Sequence, residues 1–367
     1  IAFELREKGR SKRIPNPKSS NLLDGEIVRN KDGSAVKIQG MFKDVKAVGW
    51  YLDEYKRAQI SINLNDYKTS SIHNVFDAAC ILAAERGLRV TGSELVGLVP
   101  LDAIISAGKH YLHKQNAIEG VPENEIIECA VQSLGLNDLE SFNPHKKIIE
   151  YAISKEKNKL VNLPVRGFLD EVSSKSPAPG GGSVSALLGS NGASLCSMVA
   201  SLTYYKKDFF DLRQKMNDFS KKAQLIKDEL IILIDEDTNA FNAILNANRL
   251  PSKDKAEHAI KEKAIKKANE LAFETPYRIA CLCSEVVNLC VDLSINGNPS
   301  SISDVGVAAE SAYAGFKGAS MNVLINMPSI ENKKLRNRIS DDLKIKKDDI
   351  EKSYIAAINE INKVLDS

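Results

Sequence analysis

Carboxylates and free backbone N–H groups are the reactive features of this sequence, and they gather in three stretches of its second half. In Leu233-Ile234-Asp235-Glu236-Asp237-Thr238-Asn239-Ala240-Phe241, a helical advance of about 100° per residue sets Ile226, Leu230, Leu233, Phe241 and Ile244 within roughly 40° of Asp237. The same advance puts Asp235 about 160° away. Asp237 is therefore expected to face a core, and Asp235 water. A carboxylate among apolar neighbours is costly to ionise, which raises its pKa toward the range useful to a general acid or base. The competing reading is a core aspartate satisfied by another helix or by a lysine. The D-x-D-x-N spacing does not make a calcium loop, because Ala240 and Asn246 stand where that loop needs glycine and glutamate.

The second stretch is Ser176-Pro177-Ala178-Pro179-Gly180-Gly181-Gly182-Ser183, which runs into a helix of small residues. Glycines ahead of a helix N-terminus leave N–H groups free to meet an anion, so Gly181, Gly182 and Ser183 are candidate binding residues. It is not a Walker loop, since no Gly-Lys-Ser/Thr follows, and Ser185 breaks the dinucleotide fingerprint. A tight interhelical turn capped by Ser183 would use the same residues. Ala186, Gly189, Gly192 and Ala193 would admit a close helix in either case.

The third is a helix opened by Ser301-Ile302-Ser303-Asp304. Steps of three, four and seven place Asp304, Ala308, Ser311, Gly315, Ala319, Asn322 and Asn326 on one small, polar stripe, with Asp304 and Asn322 about five turns apart. The asparagines offer donors and acceptors for a heterocycle or for a neighbouring backbone. Helix capping by Ser301 or Ser303 with ordinary interhelical hydrogen bonds is the alternative. His110 and His113 lack a partner at metal spacing, so exposure or capping is expected for them; His73, near a strand-to-helix turn, fits either role. No Ser-His-Asp arrangement can be assembled.

These residues need elements to hold them. A chain of 367 residues exceeds the usual span of one core, so two domains are expected. Hydrophobic residues at 43% and charged residues at 27% suit a globular protein rather than a disordered one. Fifty basic against forty-eight acidic residues leave +2, no field for nucleic acid. The six cysteines form no C-x-x-C pair, which suggests neither zinc site nor disulfide framework and fits a reducing cytoplasm. No run of eighteen uninterrupted apolar residues calls for a membrane, and the absent initiator methionine suggests a chain that begins mid-protein.

Residues 1–152 read as an α/β domain, a mixed sheet with helices. Within it Ser11–Lys37 is a polar loop or hairpin excursion and Gln59–Leu64 a half-buried strand. A helix is expected near 71–86, a turn and short strand at 87–93, and further helices from Pro100 to His113 and over 121–134. The charged run Ser154–Lys159 marks a linker, placed at 153–164. Helical spacing then covers about 165–173, 183–203, 208–246, 252–292, 302–326 and 331–366, so 165–367 is an all-α helical bundle.

Together these stretches resemble the formimidoyltransferase-cyclodeaminase family of folate enzymes. Residues 165–367 are similar to its cyclodeaminase domain through Ser176–Ser183, Met198–Tyr204, Asp235–Phe241 and Asn322–Asn326. Residues 1–152 are similar to the C-terminal subdomain of its transferase through Val48–Tyr55, Ala58–Leu64 and Gly92–Pro100. In the family a further α/β subdomain with the catalytic histidine comes first; nothing here corresponds to it, which puts transferase activity in doubt. The Ser11–Gln39 stretch is longer than the family pattern.

The resemblance implies closure of 5-formimidoyltetrahydrofolate to 5,10-methenyltetrahydrofolate with release of ammonia, in histidine degradation. Asp237 matches the family's catalytic aspartate. Asp304, Asn322 and Asn326 would orient the pterin or amidine, and Gln59 and Asn63 would wall the folate cleft of the transferase half. Tetrahydrofolate, with or without a polyglutamate tail, is the implied carrier and N-formimino-L-glutamate the implied partner of the first half. Lys206, Lys207, Lys263, Lys266 and Lys267 are either attractors for such a tail or a solvated face. No metal is expected, since a protonated amidine is already electrophilic. A homo-oligomer, at least a dimer, is implied. A methenyltetrahydrofolate cyclohydrolase and a non-catalytic folate-binding or assembly subunit are the alternatives.

Overall fold

In the computed structural model, which describes residues 1–19, 21–153 and 159–366, the chain divides into two compact units. One contains Ile1–Ala117 with Glu123–Ser154, the other Ile118–Pro122 with Lys155–Ser367. The charged segment expected as the linker falls, at 154–158, outside the described residues.

In the first unit β1 (Val45–Leu52) and β2 (Arg57–Leu64) form an antiparallel hairpin in which Ala47 pairs with Ile62 and Gly49 with Ile60. Ile60 and Ile62 rest on Leu5, Ala78 and Ala79, so the period-two pattern has one packed face, as its alternation requires. The polar excursion is a ladder of short pairings: Arg10–Ser11 with Lys37–Ile38, Arg13–Ile14 with Glu26–Ile27, and a bridge from Arg29 to Ala35. Helices α1 (Ile72–Ala84), α2 (Leu101–Lys114) and α3 (Glu123–Ser133) follow. Pro100 precedes α2, where its missing N–H costs nothing.

Two expectations for this unit are corrected. Its named strands form two-stranded antiparallel sheets rather than one mixed sheet, and the described parallel pairing is a single bridge from Val99 to Ile148. No strand forms at 87–93: Ser93 N–H donates to Gly135 O and its hydroxyl to Leu134 O, so a turn, not a neighbouring strand, satisfies that backbone.

The second unit is a helical bundle: α4 (Val165–Val172), α5 (Gly181–Tyr204), α6 (Arg213–Arg249), α7 (Lys255–Asn296), α8 (Ile302–Asn326) and α9 (Lys333–Leu365). The three- and four-residue spacing locates each to within a few residues. Small residues set how closely they pack. A Cβ on Gly189 would lie 2.5 Å from Cys283 Sγ, one on Gly192 2.8 Å from Ala308 O, and one on Gly315 2.8 Å from Ser185 O. These contacts run α8 antiparallel to α5 and in direct contact with it, with α7 packed against both through Cys283. By length and composition α7 could cross a membrane, but Phe273, Ile279, Cys283, Val286, Cys290 and Leu293 are buried in the bundle.

The segment Ile118–Pro122 belongs to the bundle by contact although it interrupts the first unit in sequence. Glu119 N–H donates to Asn217 Oδ1 at 2.9 Å, the Glu119 carboxylate meets Lys221 Nζ at 2.7 Å, and Ser197 Oγ donates to Gly120 O. A side chain at 120 would strike Ser220 Oγ at 2.1 Å, so only glycine fits there.

Candidate active site

Helix α5 starts at Gly181 with Gly180 extended ahead of it, and its first N–H groups have no partner within the helix. One of them finds an acceptor on α6: Ser183 N–H donates to Asp237 Oδ2 at 2.9 Å. The carboxylate lies over the first turn, and a Cβ on Gly182 would fall 2.1 Å from Asp237 Oδ1. Glycine at 182 is thus a steric requirement for seating the acid. The anion at this helix start is the protein's own.

The Ser183 hydroxyl is fully buried and has one proton to give. Its nearer acceptor is Ile234 O at 2.8 Å; Asp237 Oδ2 is 3.3 Å and Thr238 Oγ1 3.2 Å away. The hydroxyl therefore holds the carboxylate less firmly than the backbone N–H does. Burial raises the Asp237 pKa above the ordinary carboxylate value, and the two bonds from Ser183 only partly offset it. A carboxyl so placed keeps its proton to a higher pH than a free one, the direction a general acid or base requires.

On the other side of the helix start, Asn322 of α8 approaches Gly181, whose Cβ would lie 3.3 Å from Asn322 Nδ2. That amide donates to Gly318 O at 2.9 Å. Gly181, Gly182, Ser183, Asp237 and Asn322 are therefore gathered at one end of the bundle. The other proposed residues are not.

Asp304 stands at the opposite end of α8, eighteen residues and about 27 Å from Asn322 at 1.5 Å per residue. A shared stripe aligns residues but does not bring its two ends together. Asn326 is committed elsewhere: its Nδ2 donates to Ala272 O at 2.7 Å. That carbonyl is short of a donor because Pro276, four residues on inside α7, has no N–H. Asn326 repairs a helix rather than orienting a substrate. Gln59 and Asn63 lie in the first unit on β2, alternating with the isoleucines that pack inward.

Asp235, expected to face water, is half-buried. Its Oδ1 accepts Leu160 N–H at 2.8 Å, and its Oδ2 is buried without a partner among the described residues. The segment entering the bundle covers that face, which no helical wheel could reveal.

The first unit holds a cluster that spacing alone missed. His110 Nε2 lies 2.9 Å from Asp77 Oδ2, Lys114 Nζ 2.8 Å from the same oxygen, and the His110 ring stacks on His73 at 4.3 Å. Burial, then the neighbouring His110, pushes the His73 pKa down to about 4, so its imidazole is neutral. Asp77 on α1 was the available signal, four residues beyond His73. Among the described residues no group of three or more His, Cys, Asp or Glu gathers as a metal site.

Comparison with known proteins follows this division. Residues 164–344 match the formiminotransferase-cyclodeaminase model, and residues 1–154 the formiminotransferase domain model. A methenyltetrahydrofolate cyclohydrolase of Methylorubrum extorquens is 34% identical over 47% of this chain and 83% of its own length. The chain belongs to the formiminotransferase-cyclodeaminase family. The formimidoyltransferase-cyclodeaminase of Mus musculus is 35% identical over 93% of this chain, which spans 59% of that relative's length. The crystal structure of formiminotetrahydrofolate cyclodeaminase from Thermotoga maritima shares the fold, with a TM-score of 0.51 at 24% identity over 56% of this chain and all of that one. The expected lack of a transferase subdomain is not borne out, since the transferase domain model of the family matches from residue 1 to 154.

Proposed function

We propose that the helical unit closes 5-formimidoyltetrahydrofolate to 5,10-methenyltetrahydrofolate and ammonia, with Asp237 as the proton shuttle. The observation that carries this reading is a half-buried carboxylate fixed at a helix start by the Ser183 N–H, with Asn322 at the same glycine turn, in a chain of this family. N10 of the folate attacks the formimidoyl carbon, and the N10 proton passes to the Asp237 carboxylate. Asp237 returns that proton to the amidine nitrogen as its bond to carbon breaks, so ammonia leaves and the methenyl cation remains. The Ser183 N–H holds Oδ2 in place throughout, and the Asn322 amide is near enough to Gly181 to meet the substrate.

The test is absorbance of the methenyl product with ammonia measured in parallel. Asp237→Asn is expected to lower turnover by about 10²–10⁴ while leaving folate affinity largely intact. A variant keeping more than about half its activity would remove Asp237 from this role.

A second reading is favoured by one relative, the Methylorubrum extorquens cyclohydrolase. There water takes the place of the amidine nitrogen on the same carbon. Folate turnover without ammonia would select it. For the first unit we propose a part in transfer of the formimidoyl group from N-formimino-L-glutamate to tetrahydrofolate, with Gln59 and Asn63 as binding residues. Support for this part is the match of residues 1–154 to the formiminotransferase domain. Homo-oligomeric assembly and a cytoplasmic location belong to the same proposal.

A further inference from the structure

Between Glu310 and Met321 the surface of α8 opens into a shallow cleft of about 510 Å³, closed on one side by Tyr354 of α9. Tyr313 and Tyr354 stack with centroids 4.2 Å apart and planes 12° from parallel. The Tyr354 hydroxyl donates to Glu310 Oε1 at 2.5 Å, which fixes the plane of its ring. Lys317 Nζ lies 5.3 Å from the centre of the Tyr313 ring. Met321 adds a wall that is 64% exposed, and Gly318 completes the lining.

Place and chemistry agree. Gly318 faces Ser185 of α5, where a Cβ would meet Ser185 Oγ at 2.4 Å. Ser185 is one helical turn, about 5 Å of axis, from the glycines that seat Asp237. One turn beyond Gly318 on α8 is Asn322, beside Gly181. The Met321 end of the cleft is therefore the end nearer the turn of α8 that carries Asn322.

We propose that this cleft is a subsite for a planar aromatic ring bearing a carboxylate. The ring extends the tyrosine stack, and the carboxylate meets Lys317. Glu310, seven residues and about 10 Å along the helix from Lys317, repels an anion from its own end and so orients the ligand. This rests on the folate reading: the arm that joins N10 of folate to its glutamate is an aminobenzoyl ring followed by a carboxylate. A ring adjoining the reacting nitrogen belongs next to the proton shuttle.

The test is calorimetric titration of the full chain with p-aminobenzoyl-glutamate. Tyr354→Ala and Lys317→Met are each expected to weaken binding by about tenfold, from loss of stacking area and of a charge-assisted hydrogen bond respectively. Tyr354→Phe keeps the ring and should bind within about twofold of the parent. In turnover the two weakened variants should raise KM and leave kcat unchanged. Should Tyr354→Ala fail to fold, Lys317→Met, an exposed position, decides alone. No binding by the parent at millimolar probe, or equal binding by the variants, overturns the subsite. Full turnover by Asp237→Asn would instead remove the proposed chemistry and leave the probe results to judge the cleft.

Discussion

At the scale of single residues, the protonation of Asp237 is set by a contest between burial and two bonds from Ser183. Its folded pKa is raised, so between the ordinary carboxylate pKa and that raised value the folded chain binds more protons than the unfolded one. Stability contributed by this group therefore falls as pH rises through the window. Asp237→Asn carries no such charge, and its melting temperature relative to the parent should climb with pH across the window; a constant difference would mean that burial does not strain the acid. Ser183→Ala removes a bond that favours the ionised form, so the acidic limb of the turnover profile should move to higher pH. A limb that stays put would show that the backbone N–H alone sets the protonation of Asp237. The inward direction of Asp237 was readable from its apolar neighbours at helical spacing. Its bond to Ser183 was not, because it joins residues 54 apart on different helices.

At the scale of elements, α7 and α8 are joined by a repair. Pro276 frees the carbonyl of Ala272, and Asn326 supplies the missing donor. Asn326→Ala should cost about 1–3 kcal/mol, the penalty for stranding a buried carbonyl. In a Pro276→Ala background the backbone can make its own bond, and the same change should cost much less. Denaturant midpoints of the four proteins measure this coupling, and additive losses would refute it. The asparagine stripe on α8 was visible in the sequence, but a stripe names a face and not a partner. Asn322 meets the start of α5, Asn326 meets α7, and Asp304 lies at the far end, because α8 runs antiparallel to α5 and only one of its ends reaches Asp237.

At the scale of the whole molecule, the bundle includes a strap, Ile118–Pro122, that sequence order assigns to the first unit. Asn217 is buried and accepts the Glu119 N–H. Asn217→Ala should speed hydrogen exchange of the Glu119 amide at least tenfold, the equivalent of about 1.4 kcal/mol. An unchanged rate would mean that the strap is held by its other bonds, from Tyr205, Lys221 and Ser197.

Periodicity by itself determined the helices of the second half, the β2 strand and the inward turn of Asp237, though not that Asp235 is covered too. Each is a local property, encoded within a dozen residues by the repeat of apolar side chains. Tertiary structure decided what those faces meet. It placed the Asp237 carboxylate over Gly182, spent Asn326 on the carbonyl that Pro276 leaves open, and covered Asp235 with the segment at Leu160. It also replaced the expected mixed sheet with two-stranded ladders. Such outcomes depend on pairings between residues tens of positions apart, whose geometry no repeat within one element records.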